Sequence, residues 1–203
     1  MNRTKTAIVS AFWQLLDEKS YSQITVKDIV TRCLINRNTF YYHFHDIPEL
    51  LEYSFKDEID RIIQTYSRFG SPLDCITPFV ETGAKRKKAF LHIYRSVQRE
   101  IFLKEVERLC LYTVSEYVNT VTDDLSLRRE DKELLIRFYK CTLVGTILDW
   151  MNHSMDYDLL KAMERICDLF AGTGKQAFLK SVKPDTTTAT GGLKTFVSTL
   201  SSG

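Results

Sequence analysis

Apolar residues recur along the front of the chain with the spacing of short amphipathic helices. Ile8, Ala11, Phe12, Leu15 and Leu16 fall at i, i+3, i+4, i+7 and i+8, which predicts a helix over residues 4–18. The stripe breaks at Lys19-Ser20-Tyr21-Ser22 and resumes with Val26, Ile29, Val30 and Cys33. Thr25 stands where an N-cap belongs, and Asp28 follows three residues on, where an acid favours a helix start. Leu34-Ile35-Asn36 reads as a turn, with Asn36 capping a further helix in which Phe40 and Phe44 face inward. Phe12, Leu16, Ile29, Val30, Phe40 and Phe44 thus suffice for one small core, and three short helices around it make a helix-turn-helix unit.

The next helix opens with Asp46 as N-cap and Glu49 three residues later, a capping box with Asp in place of Ser or Thr. Pro48 lies in its first turn, where the missing N–H costs nothing. Leu50, Leu51, Ser54, Phe55, Ile59, Ile62 and Ile63 carry it on to Phe69-Gly70-Ser71-Pro72. Beyond lie helical patterns over about 73–85, 89–97, 101–121, 129–152 and 157–171, with a loop at 123–127 and a break at His153–Asp156. The first ends near Gly83 or in the basic run Lys85-Arg86-Lys87-Lys88, which reads as a solvated helix junction rather than a nucleic-acid patch. Segment 129–152 is apolar on more than one face, and its Gly145 costs about 1 kcal/mol relative to Ala, a cost that a close helix crossing offsets.

The expected fold is all-α. Residues 1–46 form the helix-turn-helix head, 47–183 a helical body joined to it by the long helix, and 184–203 a mostly disordered tail rich in Thr, Ser and Gly. Within the tail, Leu193, Phe196, Val197 and Leu200 have the spacing of a short terminal helix.

Composition adds mainly exclusions. The chain has 203 residues, 44% hydrophobic and 27% charged, which is globular composition. No apolar run approaches the ~18 residues of a membrane span, and the N-terminus carries acids where a secretory signal would be apolar. The expected location is cytoplasmic, with no membrane contact. The five cysteines are far apart, none at C-x-x-C spacing, and each sits among apolar neighbours that suggest a core filler. No histidine or carboxylate cluster has metal spacing, and no phosphate loop or nucleophile elbow is present. Neither a metal nor a cofactor is expected, and the chain does not read as an enzyme.

Charge is informative in its distribution. Residues 1–45 hold six Lys/Arg against three acids, while the remainder holds 22 against 23. A mildly basic head on a near-neutral body suits contact with double-stranded DNA. The helix after the turn has Arg37, Asn38 and Tyr41 on the face opposite Phe40 and Phe44. Arg bonds guanine bidentately, Asn bonds adenine, and an aromatic edge packs on a thymine methyl. With Lys27 these are the candidate base-reading residues; Thr25, Thr39, Tyr42 and His43 are the candidate phosphate contacts. Solvated helix faces favour Glu and Lys, whereas no acid occurs from residue 29 to residue 45.

The run TVKDIVTRCLINRNTFYYHFHDIPELL, and in particular Thr39-Phe40-Tyr41-Tyr42-His43-Phe44 at T-[LF]-Y-x-H-F spacing, resembles the DNA-binding domain of the TetR/AcrR family of bacterial transcriptional regulators. The rest of the chain agrees with that family in its all-helical pattern and length. The resemblance implies a homodimer whose last two long helices pair with their copies. Phe138, Thr142, Gly145, Thr146, Met151, Leu159, Met163 and Ile166 are then candidate interface residues. It also implies a repressor on a near-palindromic operator, released by a small-molecule effector. Tyr94, Arg95, Gln98, Tyr112 and Trp150 are candidate pocket residues by shape and polarity. The segment RNTFYYHFHDIPELLE further resembles the subgroup related to activators of dihydroxyacetone-kinase operons, so control by a coactivator protein is the alternative. A helical-bundle enzyme or carrier is a remote third. A closed apolar cavity favours a ligand; a filled core with an exposed apolar patch favours a partner. Two positions depart from the family pattern. Leu34 stands where members often have Gly, so a positive φ would strain it by roughly 1 kcal/mol. Ile47 replaces a frequent phosphate-contacting Lys.

Overall fold

The computed structural model describes residues 3–65, 72–122 and 128–169. The expected tail, its terminal helix, the loop at 123–127 and the end of the long helix near Phe69 lie outside the described residues. Among those described there are nine α-helices and no strand. They are α1 (Arg3–Glu18), α2 (Val26–Arg32), α3 (Arg37–His43), α4 (Ile47–Thr65), α5 (Pro72–Lys85), α6 (Lys87–Tyr94), α7 (Arg99–Thr122), α8 (Arg129–Asn152) and α9 (Leu159–Leu169). The all-α expectation holds. Among the described residues no helix is long and apolar enough to cross a membrane.

The head closes over Phe12, Leu16, Ile29, Val30, Phe40 and Phe44, all buried. At about 1.5–3 kcal/mol per fully buried large side chain, this small set is the main force holding three short helices together. Polar links fix their angles. Thr25 and Asp28 form the full capping box of α2, and Lys19 Nζ sits 2.8 Å from the same Asp28 carboxylate. Arg32 reaches back from α2 to Glu18 at the end of α1 with two parallel bonds of 2.5 and 2.7 Å. Between α2 and α3 the N–H of Ile35 donates to Val30 O at 3.0 Å, which requires Leu34 at φ 54°. The strain expected at that position is therefore present. Asp46 caps α4 through the Glu49 N–H, but Glu49 turns its carboxylate to the His45 N–H, one residue before the expected partner.

α4 runs from the head onto the body. Its Phe55 meets Phe102 of α7 and Phe90 of α6, with centroids 5.3 and 5.5 Å apart. Phe79 of α5 and Trp13 of α1 join at the Phe90 ring. Thus a continuous aromatic cluster spans head and body. Around it, Lys104 pairs with Glu52 and Arg108 with Asp60, both at 2.7 Å, which pins α4 to α7. Arg108 also holds the buried Glu105 at 2.7 Å.

α5 ends at Lys85, in the basic run, which is one of the two expected ends, and Gly83 within it is there for close approach: a Cβ would lie 3.2 Å from Met155 Cε and 3.5 Å from Trp150 Cη2. Other expectations need correction. The basic run is only partly solvated. Arg86 lies over the Trp13 ring at 5.0 Å, and Lys87 donates to Met155 O at 2.8 Å. Cys110 fills the core, and burial raises its thiol to about 12; Cys33 is half-buried; but Cys141 and Cys167 are exposed rather than core fillers. Gly145 is exposed with open space where its Cβ would be, so no crossing within the described chain offsets its cost.

Candidate nucleic-acid interface

The outer surface of α2 and α3 carries the candidate residues, and the caps aim it. Asn36 Oδ1 accepts from the Thr39 N–H at 2.8 Å and so fixes the start of α3. Phe40 and Phe44 lock the inner side of α3 into the core. Arg37, Asn38, Tyr41 and Tyr42 then stand in solvent, Tyr41 at 54% and Tyr42 at 83% exposure. Tyr41 rests edge-on against Phe40 with centroids 5.4 Å apart, which orients its ring without hiding its edge. Tyr42 and the half-buried His43 pack against each other at 5.0 Å. Lys27 is exposed in the first turn of α2.

Two predicted phosphate donors are engaged internally. The Thr25 hydroxyl donates to Asp28 Oδ2 at 2.7 Å, and the Thr39 hydroxyl donates to Asn36 Oδ1 at 3.0 Å. Each hydroxyl has one proton, so both residues support the interface as capping groups in this arrangement. The α3 surface itself carries Arg37 and no acid. Asp28, in the first turn of α2, is answered by Lys19 and by the Thr25 side chain and backbone, which together hold its carboxyl far below the usual range. Asp46 is also lowered, first by the Glu49 N–H. Tyr21 is buried beside it, and desolvation, then the Asp46 charge, pushes its hydroxyl up to about 12.

Sequence reading missed two supports of this surface. Lys5 Nζ lies 3.6 Å from the Tyr53 ring centroid and 5.1 Å from that of Phe44, tying the start of α1 to the end of α3 and to α4. His92 of α6 donates from Nδ1 to Leu16 O at 2.8 Å, which joins the end of α1 to the body. The carbonyl has no proton, so the imidazole supplies it.

The candidate pocket residues separate. Trp150 lines a half-open cavity of about 290 Å³ between α5 and the corner joining α8 to α9. Tyr94, Arg95, Gln98 and Tyr112 do not line it. Tyr94 donates to Asn152 Oδ1 and accepts from Arg99, both at 2.7 Å. Arg95 donates to Ser154 Oγ at 2.6 Å. The Gln98 backbone N–H is bound to Ser96 Oγ, and Tyr112 is half-buried on α7. The candidate interface residues separate too. Phe138 (63% exposed), Thr142, Gly145 and Ile166 face solvent, and Thr146 and Met163 are half-buried. Met151 and Leu159 are buried in the chain's own core, where they have nothing to offer a second copy.

The chain is similar to known proteins over both its head and its body. A family model described as bacterial regulatory proteins, tetR family, matches residues 8–53, and one described as transcriptional regulator C-terminal region matches residues 71–172. The HTH-type dhaKLM operon transcriptional activator DhaS of Lactococcus lactis subsp. lactis (strain IL1403) is 35% identical over 66 residues. That match spans 32% of this chain and 35% of the relative. Among solved structures, the dihydroxyacetone kinase operon activator DhaS superposes with a TM-score of 0.71 at 18% identity, covering 86% of this chain and 97% of that one. The fatty acid degradation regulator FadR from Bacillus halodurans superposes with a TM-score of 0.62 at 18% identity, covering 83% and 95%. At such identities the superpositions speak for the fold alone. The family's members are non-enzymatic, bind DNA and typically dimerise. The chain belongs to the TetR family of transcriptional regulators.

Proposed function

We propose that this regulator binds a near-palindromic operator as a cytoplasmic homodimer, with α3 of each protomer in the major groove, and represses until an effector reaches the body. The observation that carries the reading is the exposed, acid-free α3 surface held rigid by the Asn36 cap and the Phe40–Phe44 anchor. Arg37, Asn38, Tyr41 and Lys27 read base edges; Tyr42 and His43 grip phosphates, and Thr25 and Thr39 preset both helices. A dimer sets two such helices about 34 Å apart, one turn of DNA. The solvent-facing Phe138, Thr142 and Gly145 of α8 with Ile166 of α9 supply the pairing surface.

The test is selection of bound DNA from a random pool, then titration of the selected fragment. Arg37→Ala is expected to weaken specific binding by roughly 1–3 kcal/mol and relax one base position. Equal binding of selected and random DNA by wild type and variant sinks the assignment.

A second reading has its own support. The Phe55, Phe79, Phe90 and Phe102 rings fill the centre of the body and are fully buried, which leaves little central room for a ligand. The Lactococcus relative bears the name of an operon activator. An activator controlled by a coactivator protein fits both facts. Transcription from the selected site in a purified system distinguishes the readings: repression by the protein alone supports the first, and activation only with an added protein supports the second.

A further inference from the structure

The α8–α9 corner is held under strain. Ser154 and Met155 have φ of 59° and 54°, a region that residues with side chains avoid. α6 grips the corner from one side: Lys87 donates to Met155 O, Tyr94 to Asn152 and Arg95 to Ser154. The same helix touches the head, through Phe90 stacked on Trp13 at 6.3 Å and His92 on Leu16 O. Strain that persists because its surroundings hold it marks an element poised to move when those surroundings change.

The cavity of about 290 Å³ opens beside this corner. Val80, Ala84, Trp150, Met155, Leu159 and Leu160 give it apolar walls, and its size is near the lower end for small-molecule pockets. Its polar groups are Glu81, Lys87, Asp158 and Tyr157. Lys87 is engaged with Met155 O. Asp158 caps α9 and pairs with Lys161 at 3.1 Å. The Tyr157 hydroxyl is spent on Asp149. The Glu81 carboxylate has no partner among the described residues. Asp158 is already answered by Lys161, so Glu81 is the lining carboxylate left without a counter-ion, and a cation meets it there beside the Trp150 wall.

We propose that this cleft binds a compact organic cation, its ammonium at Glu81 and its apolar body against Trp150 and Met155, and that α6 passes occupancy from the corner to the head. The binding half stands on the cavity alone; the coupling half rests on the DNA reading above.

Calorimetric titration of the full chain without DNA tests the binding half, with benzyltriethylammonium as probe and 4-phenylbutyrate as its anionic counterpart. Saturable binding of the cation and none of the anion is expected. Glu81→Gln and the cavity-filling Ala84→Phe, both at exposed positions, should each weaken it roughly tenfold or more, about 1.4 kcal/mol, with thermal midpoints confirming that both are folded. No saturable binding by wild type, equal binding of 4-phenylbutyrate, or unchanged binding in both variants overturns the site. Arg37→Ala should bind the cation as wild type does. With the selected DNA fragment, saturating cation should change DNA affinity, and DNA should change cation affinity by the same factor. Cation binding with DNA affinity unmoved overturns the coupling. Cation binding by a protein that binds no DNA overturns the reading of the head and leaves the site standing.

Discussion

Leu34 is 91% exposed and held at φ 54°, so its side chain contributes no packing while its backbone is strained. Leu34→Gly removes the clash and is expected to stabilise the chain by about 1 kcal/mol. The denaturant midpoint should rise at constant slope; a midpoint unchanged or lowered contradicts that account of the turn. Asp28 is the opposite case, a residue whose charge is in use. Lys19 and Thr25 lower its folded pKa below the unfolded value. Its contribution is therefore fully present above the ordinary carboxylate range, near 4, and is lost as pH falls through and below it. Glu18, lowered by Arg32, and Asp46, lowered by the Glu49 N–H, act in the same direction. Asp28→Asn should be less stable than wild type at neutral pH, with the difference shrinking as pH is lowered past about 4 in denaturant titrations. A difference independent of pH would mean that charge is not what Asp28 supplies.

At the level of elements, local signals were readable and contacts between distant segments were not. The caps of α2 and α3 follow from residues three apart, Thr25 with Asp28 and Asn36 with Thr39, so the sequence contains both partners in one turn. Leu34 stands out only against the TetR pattern, which often has Gly at that position. Glu49 reads from sequence as a residue of the first turn of α4, but its carboxylate has two N–H groups within reach, and it bonds that of His45. Arg86 on Trp13 and Lys87 on Met155 O depend on how α5 and α6 lie against α1 and α8, which no local pattern encodes. Cys141 and Cys167 misled because apolar neighbours in sequence do not say which way a helix is turned. Met151 and Leu159, which the family resemblance offers as pairing residues, turn inward, because a resemblance in helix pattern does not fix how each helix is rotated. α6 offers a test of its bridging place. His92→Leu removes the bond to Leu16 O and should cost about 1 kcal/mol. Hydrogen exchange should quicken at the end of α1 more than in α7; a uniform change across the chain would argue against a specific link.

For the whole molecule, the division of labour between head and pairing surface is testable. Phe138 is large, apolar and 63% exposed, beside the exposed Thr142 and near the open Gly145. If two copies meet there, Phe138→Glu buries a charge at the contact and shifts the protein toward monomer in sedimentation at equal concentration. Affinity for the full palindrome should fall while affinity for a half-site stays close to wild type. A variant that remains dimeric would move the pairing surface elsewhere.

The chain has two tryptophans, and they occupy opposite ends of the α6 bridge. Trp13 lies under Arg86 and against Phe90, where head meets body. Trp150 lies by the cleft, with its indole N–H on Tyr157 O at 3.0 Å. Trp13→Phe therefore leaves a protein whose emission reports the corner alone, and Trp150→Phe one whose emission reports the seam alone. The timing of a signal travelling between them can be followed by stopped-flow fluorescence, without attaching a dye.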